Sequence, residues 1–127
     1  MTRFPQWSLG LALIVACGGG GPAGTTIVPP PPPPPPLAQT VTTARPLEGV
    51  FLFQPASVTI AAGGTVTWTV SADAPAGVLH SVTSDTDAWT ADTLGANESL
   101  RLTFPTAGRF PYRCVFHAGM SGAIVVK

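Results

Sequence analysis

The chain has 127 residues, which leaves room for one domain and little more. Its six basic and six acidic residues cancel to a formal net charge of zero, and only 9% of all residues are charged. No basic block could follow a phosphate backbone, which argues against a nucleic-acid partner. The 14 glycines, the 15 prolines and a hydrophobic content of 45% instead favour a β-rich domain with many turns.

The N-terminal residues have the pattern of an export signal. Residues 9–16 form an apolar run that is too short to span a bilayer as a helix. The run leads into Ile14-Val15-Ala16-Cys17, which resembles the lipobox of bacterial lipoproteins. The resemblance implies a signal peptide of residues 1–16, a lipid on Cys17, and an extracytoplasmic protein anchored to a bacterial membrane, in the periplasm or at the cell surface. An ordinary secretory signal with an incidental cysteine is the alternative.

A segment rich in glycine and proline follows Cys17. It contains four glycines at residues 18–21 and eight consecutive prolines at residues 29–36. Eight prolines form a stiff polyproline II rod of about 25 Å, at about 3.1 Å per residue. Residues 17–36 cannot bury a core, so we interpret them as a tether for a domain of residues 37–127. A docking ligand for a polyproline-binding module is the alternative interpretation.

The apolar residues of the C-terminal domain alternate with a period of two, which is typical of half-buried strands. No stretch has clear helical periodicity, although residues 85–96 could hold one helical turn. Seven or eight short strands in about 90 residues indicate an all-β Greek-key β-sandwich. The predicted strands are residues 40–44, 50–53, 58–60, 65–70, 99–104, 109–114 and 122–126, with an eighth around His80.

A thiol, an imidazole and a thioether recur at intervals of three residues near the end of the chain, in Cys114, His117 and Met120. A tight loop could turn all three side chains toward one ion, and Gly119 gives the backbone the freedom to do so. His80 would supply a second imidazole, because sandwich topology routinely brings distant strands together at one end. The spacing therefore predicts a metal site.

The residue inventory supports a single site. The chain has two cysteines, two histidines and two methionines, of which Met1 is the initiator and Cys17 is assigned to lipidation. Those that remain form the ligand list of a His₂Cys copper site with a weak axial methionine: His80, Cys114, His117 and Met120. Thiolate and thioether ligands favour copper, whereas zinc would more often recruit a further cysteine, histidine or carboxylate.

Residues 51–126 resemble the cupredoxins, specifically the plastocyanin/amicyanin-like group. The resemblance is carried by an ordered set of motifs that includes Phe53-x-Pro55, His80-Ser81-Val82 and Tyr112-x-Cys114-x-x-His117-x-x-Met120. It implies one type 1 (blue) copper ion, which alternates between Cu(I) and Cu(II). It also implies a monomeric one-electron carrier, not an enzyme, without a small-molecule substrate and with a redox protein partner that docks near His117. Copper storage or delivery by an extracytoplasmic lipoprotein is the alternative function, and metal-free scaffolding is a third.

Two positions depart from the usual pattern of these families. Phe116 stands where proline is usual, and Ser81 stands where many members have asparagine. Because Phe116 has a backbone N–H and proline has none, the Cys114 sulfur could accept a second backbone hydrogen bond, which would favour Cu(I). The loss of asparagine beside His80 leaves open how the two ligand-bearing segments are tied together.

Overall fold

The computed structural model describes residues 29–127, and this part of the chain is all-β. It contains nine strands and no helix, and the strands are β1 Ala38–Leu47, β2 Val50–Gln54, β3 Ser57–Ile60, β4 Gly64–Thr69, β5 His80–Ser84, β6 Asp92–Leu94, β7 Ser99–Phe104, β8 Gly108–Arg113 and β9 Ser121–Val126. The predicted all-β class is confirmed, whereas the predicted number of seven or eight strands is too low. The additional strand is β6, which lies where the sequence could have held a helical turn. Only one of its three residues is buried, so it lacks the alternation by which strands are recognised.

The strands form two sheets that face each other. One sheet has the strand order β2-β1-β4-β7, and the other has the order β3-β9-β8-β5-β6. The pairs β1–β4 and β3–β9 are parallel, and all other neighbours are antiparallel. Several strands that follow each other in sequence, such as β3 and β4, lie in different sheets, as the predicted Greek-key sandwich requires.

The core lies between the two sheets and is rich in β-branched and aromatic residues. Along β4, Val66 and Trp68 are buried while the threonines that alternate with them are half-buried, which is the period-two pattern of a strand covered on one face. From the opposite sheet, Tyr112 meets Trp68 edge to face, with 5.3 Å between the ring centroids. Burial of these side chains supplies the main favourable term in folding.

The two ends of the sandwich have different roles in the chain. At one end, the backbone N–H groups of Ala61 and Ala62 donate hydrogen bonds to the carbonyls of Pro36 and Lys127, at 3.0 and 2.9 Å. The proline run therefore joins the sandwich beside the end of β9. Since β9 has six residues, its other end lies about 20 Å away. There the loop between β8 and β9 meets the start of β5, where the predicted ligands are located.

Residues 29–36 belong to neither a helix nor a strand, and most of them are exposed. The predicted signal peptide of residues 1–16, the predicted lipidation site Cys17 and residues 18–28 of the predicted tether lie outside the described residues. Within residues 29–127 we find no helix long and apolar enough to cross a membrane.

Candidate metal centre

The fold brings three of the four predicted ligands together. The ligand atoms of His80, Cys114 and His117 all lie within 4.8 Å of one another. His80 is the first residue of β5, Cys114 directly follows β8, and His117 lies in the loop between β8 and β9. His80 and Cys114 are buried, whereas His117 is half-buried. Residues that are 34 positions apart in sequence, such as His80 and Cys114, thus form one cluster at the end of the sandwich.

Backbone hydrogen bonds close the loop that contains Cys114, His117 and Met120. Cys114 N–H donates to the Met120 carbonyl at 2.9 Å, and Met120 N–H donates to the His117 carbonyl at 3.3 Å. Gly119 has a φ of 80°, a backbone conformation that favours glycine, and so permits the turn. Met120 is buried and belongs to the same apolar cluster as Cys114. Its role as an axial ligand stays a prediction.

The chemistry of the cluster suits copper. Burial and the nearby charge of His117 lower the pKa of His80, which favours the neutral imidazole that binds metals. The Nδ1 atom of His80 is buried without a hydrogen-bond partner, which is costly unless another group binds it. Cys114 Sγ lies 3.5 Å from His117 Nδ1. A thiol and two imidazoles at this spacing fit an ion that accepts both soft and borderline ligands.

Ser81 connects the two segments that provide these groups. Its backbone N–H donates a hydrogen bond to the Cys114 sulfur at 3.3 Å. Its hydroxyl accepts one from Val115 N–H at 2.9 Å and forms another with the Thr83 hydroxyl at 3.0 Å. The connection that the sequence left open is therefore made by serine. A bond from Phe116 N–H to the sulfur is not among the hydrogen bonds of residues 29–127, and the Phe116 residue is 52% exposed.

Phe51 is a neighbour of the cluster that sequence reasoning did not identify. Its ring centroid lies 4.2 Å from that of His117 and 5.1 Å from that of His80. The two imidazole centroids are 4.8 Å apart, so that the three rings are mutually in contact. The available signal was the alternation of β2, in which Phe51 and Phe53 point to one side, but alternation does not reveal which residues of the other sheet they meet.

Two facing β-sheets with a His-Cys-His cluster at one end define a cupredoxin-like metalloprotein. A family model described as copper binding proteins of the plastocyanin/azurin family matches residues 40–127. The chain therefore belongs to the plastocyanin/azurin family of copper-binding proteins, and the predicted resemblance to cupredoxins is confirmed. The family and the cluster together define the cofactor as one type 1 copper ion.

Two algal plastocyanins are among the similar sequences. The chloroplastic plastocyanin of Tetradesmus obliquus is 40% identical over 92 residues, which cover 62% of this chain and 61% of that protein. The plastocyanin of Scenedesmus fuscus is 39% identical over 92 residues, which cover 62% of this chain and 90% of that protein. The match thus spans less than two thirds of the length of the first relative.

Solved structures share the fold. The reduced state of an amicyanin mutant in which phenylalanine replaces proline matches with a TM-score of 0.57 and 25% identity, over 71% of this chain and 82% of the amicyanin. A copper-containing nitrite reductase from Thermus scotoductus matches with a TM-score of 0.59 and 26% identity. That match covers 72% of this chain but only 23% of the reductase, so the similarity concerns one portion of a larger enzyme.

Proposed function

We propose that this chain is a type 1 copper protein that carries single electrons as a monomer, with His80, Cys114, His117 and Met120 as the copper ligands. The proposal rests on one observation, the position of the ligand atoms of His80, Cys114 and His117 within 4.8 Å of one another. It is also supported by the burial of Met120 in the loop that supplies two of these ligands.

The residues around the proposed ligands have separate tasks in such a carrier. When bound, copper supplies the one-electron change between Cu(I) and Cu(II). The Ser81 N–H neutralises part of the sulfur charge at 3.3 Å, which favours the reduced state. The buried surroundings of His80 and Cys114 keep water from the ligand groups. The ligand set is a compromise between the preferences of the two oxidation states, so that electron transfer requires little rearrangement.

A redox partner would dock around His117. Leu79, Val115 and Phe116 are each about half exposed, and they lie next to His80 or in the loop of Cys114 and His117. Apolar side chains at a metal edge favour a small, short-lived interface of the kind that redox encounters use. The electron would therefore leave or enter through the half-buried His117.

Copper addition to the purified chain tests the proposed centre. We expect Cu(II) to produce an intense blue thiolate-to-copper charge-transfer band that Cys114→Ser abolishes. Copper affinity should fall by more than about 100-fold in that variant, since loss of even a group behind the ligands costs about 10–100-fold. Cys17→Ala is the matched control, because it removes the other cysteine and should leave the band unchanged. A blue band in Cys114→Ser would contradict the assignment.

Voltammetry and electron self-exchange rates separate a carrier from the alternative, a copper storage or delivery protein. Reversible voltammetry with fast self-exchange supports the carrier. Slow self-exchange combined with ready transfer of copper to a chelator would favour storage or delivery.

The proposal includes a membrane tether. Residues 1–16 would be a signal peptide, Cys17 would carry a lipid, and residues 17–36 would link it to an extracytoplasmic cupredoxin domain of residues 37–127. The lipobox-like sequence before Cys17 supports this organisation. It is further supported by the position of Pro36, which joins the sandwich at the end remote from the proposed ligands.

Detergent phase partitioning of the chain, after expression in a bacterial host, tests the tether. The wild-type chain should enter the detergent phase, and Cys17→Ala should stay in the aqueous phase because it has no thiol to carry the lipid. Cys114→Ser is the reciprocal control and should still partition with the lipids. Equal partitioning of wild type and Cys17→Ala would show that lipidation of Cys17 does not hold the protein at the membrane.

A further inference from the structure

Phe51 approaches the His-Cys-His cluster from the opposite sheet. All four proposed ligands belong to β5 or to the loop between β8 and β9, and these three strands are part of the five-stranded sheet. Phe51 belongs to β2, which is part of the four-stranded sheet. Its ring lies against His117 at 4.2 Å with a tilt of 38° and against His80 at 5.1 Å with an angle of 66°. Tilted and edge-to-face arrangements at these separations are the favoured geometries of aromatic pairs.

The ring of Phe51 is itself held in place. It is half-buried and packs against the apolar core, while its strand neighbours Val50 and Leu52 point outward. The guanidinium carbon of Arg45 lies 5.8 Å from the ring centroid, within the range of a cation–π contact. Arg45 in turn lies 3.3 Å from the Glu48 carboxylate in the β1–β2 hairpin. Packing against the core is therefore the main restraint on the phenyl ring, because the exposed Arg45–Glu48 pair adds little.

We infer that Phe51 is a positioning residue that holds the imidazoles of His80 and His117 in one orientation, with and without copper and in both oxidation states. The inference rests on the proposed function, because it concerns the ligands of the proposed copper centre. His117 is only half-buried and lies in a loop, so the ring is the rigid neighbour that limits its rotation. Ligands held in place by packed neighbours rearrange less when the charge of the ion changes.

A matched pair of variants tests this role. Phe51→Leu removes the aromatic ring but keeps an apolar side chain. Phe110→Leu makes the same substitution at another half-buried phenylalanine, whose ring pairs with Phe104 at 5.2 Å. Phe51→Tyr restores the ring and serves as the conservative rescue. Urea unfolding of all three metal-free variants measures how much of any effect is general destabilisation.

The first measurement needs no metal. In proton NMR of the metal-free chain, the ring current of Phe51 should shift the imidazole C–H resonances of His117, and Phe51→Leu should remove that shift. The second measurement is the self-exchange rate of the copper-loaded chain. We expect Phe51→Leu to lower it about five- to tenfold, in keeping with the loss of one aromatic contact. Phe51→Tyr and Phe110→Leu should remain near wild type in both measurements.

The outcomes distinguish this inference from the proposed function. A wild-type chain without a blue band or a reversible couple would overturn the proposed function itself. A wild-type chain that has both, together with a Phe51→Leu variant that behaves like Phe110→Leu, would overturn only the inference and reduce Phe51 to a packing residue. Unaltered imidazole resonances in Phe51→Leu would likewise overturn the inference but not the proposed function.

Discussion

Ser81 contacts the Cys114 segment twice, once through its backbone and once through its side chain. Its backbone N–H faces the Cys114 sulfur, and its hydroxyl accepts the N–H of Val115, the residue that follows Cys114. The first contact adjusts the charge on the sulfur, and the second fixes the path of the loop behind it. A side chain as short as serine can do this because β5 and the end of β8 are hydrogen-bonded neighbours.

Ser81→Ala should separate these tasks. The variant keeps the backbone N–H but leaves Val115 N–H without its partner, so the free energy of unfolding of the metal-free chain should fall by about 1–2 kcal/mol. Copper dissociation, followed by transfer to a chelator, should become about tenfold faster, because the loop is less firmly held.

Ser84→Ala is a control on the same strand. Ser84 is also buried, and its hydroxyl accepts the N–H groups of Thr86 and Ala88 in a loop away from the cluster. It should lower stability by a similar amount without changing copper dissociation. If both variants release copper at the same rate, Ser81 acts only through general stability.

At the scale of the strand pair, β8 and β9 meet closely at Tyr112 and Gly122. These residues are direct cross-strand partners, and the phenol of Tyr112 lies over Gly122. A Cβ atom on Gly122 would collide with the phenol and would also lie 2.9 Å from the Ala56 carbonyl. Glycine is therefore needed at position 122 because no side-chain atom fits there.

The phenol of Tyr112 also has a shifted pKa. Burial raises the pKa of Tyr112 to about 12. The Trp68 indole acts in the opposite direction on this pKa, although neither its N–H nor the phenol has a hydrogen-bond partner of normal geometry among the described residues.

Gly122→Ala should lower the free energy of unfolding by about 1–3 kcal/mol, the usual cost of overpacking. Tyr112→Phe removes the hydroxyl that the new methyl group would meet, and it should itself be nearly neutral because that buried hydroxyl lacks a partner. Urea unfolding of the two single variants and the double variant gives the coupling between them. The double variant should recover part of the loss, whereas strict additivity would mean that the strain arises at the ring of residue 112 or at the Ala56 carbonyl instead.

The sequence predicted those elements that have a local signal. Strands such as β4 and β7 alternate clearly, so their positions could be predicted to within one residue. β6 could not be predicted, because it exists only through its pairing with His80, Ser81 and Val82 on β5. A three-residue strand is too short to carry a periodic pattern, and its existence depends on a partner strand that comes earlier in the chain.

For the whole molecule, the fold class and the His-Cys-His cluster could be predicted because both have signals in the sequence itself. Alternation indicates a sandwich, and an inventory of soft ligands indicates a shared metal site. Phe51 and the hydrogen bonds of Ser81 could not be predicted, since both depend on the register between sheets or between distant segments. The assignment of Met120 as a ligand and of Cys17 as a lipid site stays a prediction.

The positions of Pro36 and Lys127 have a practical consequence. Both residues are hydrogen-bonded to consecutive amides, those of Ala61 and Ala62, so they lie side by side at the end of the sandwich remote from the His-Cys-His cluster. A fusion protein, an electrode surface or a resin attached through either point would therefore leave the cluster facing solution. The fold offers two adjacent attachment points for immobilised devices, and neither would cover the His-Cys-His cluster at the opposite end.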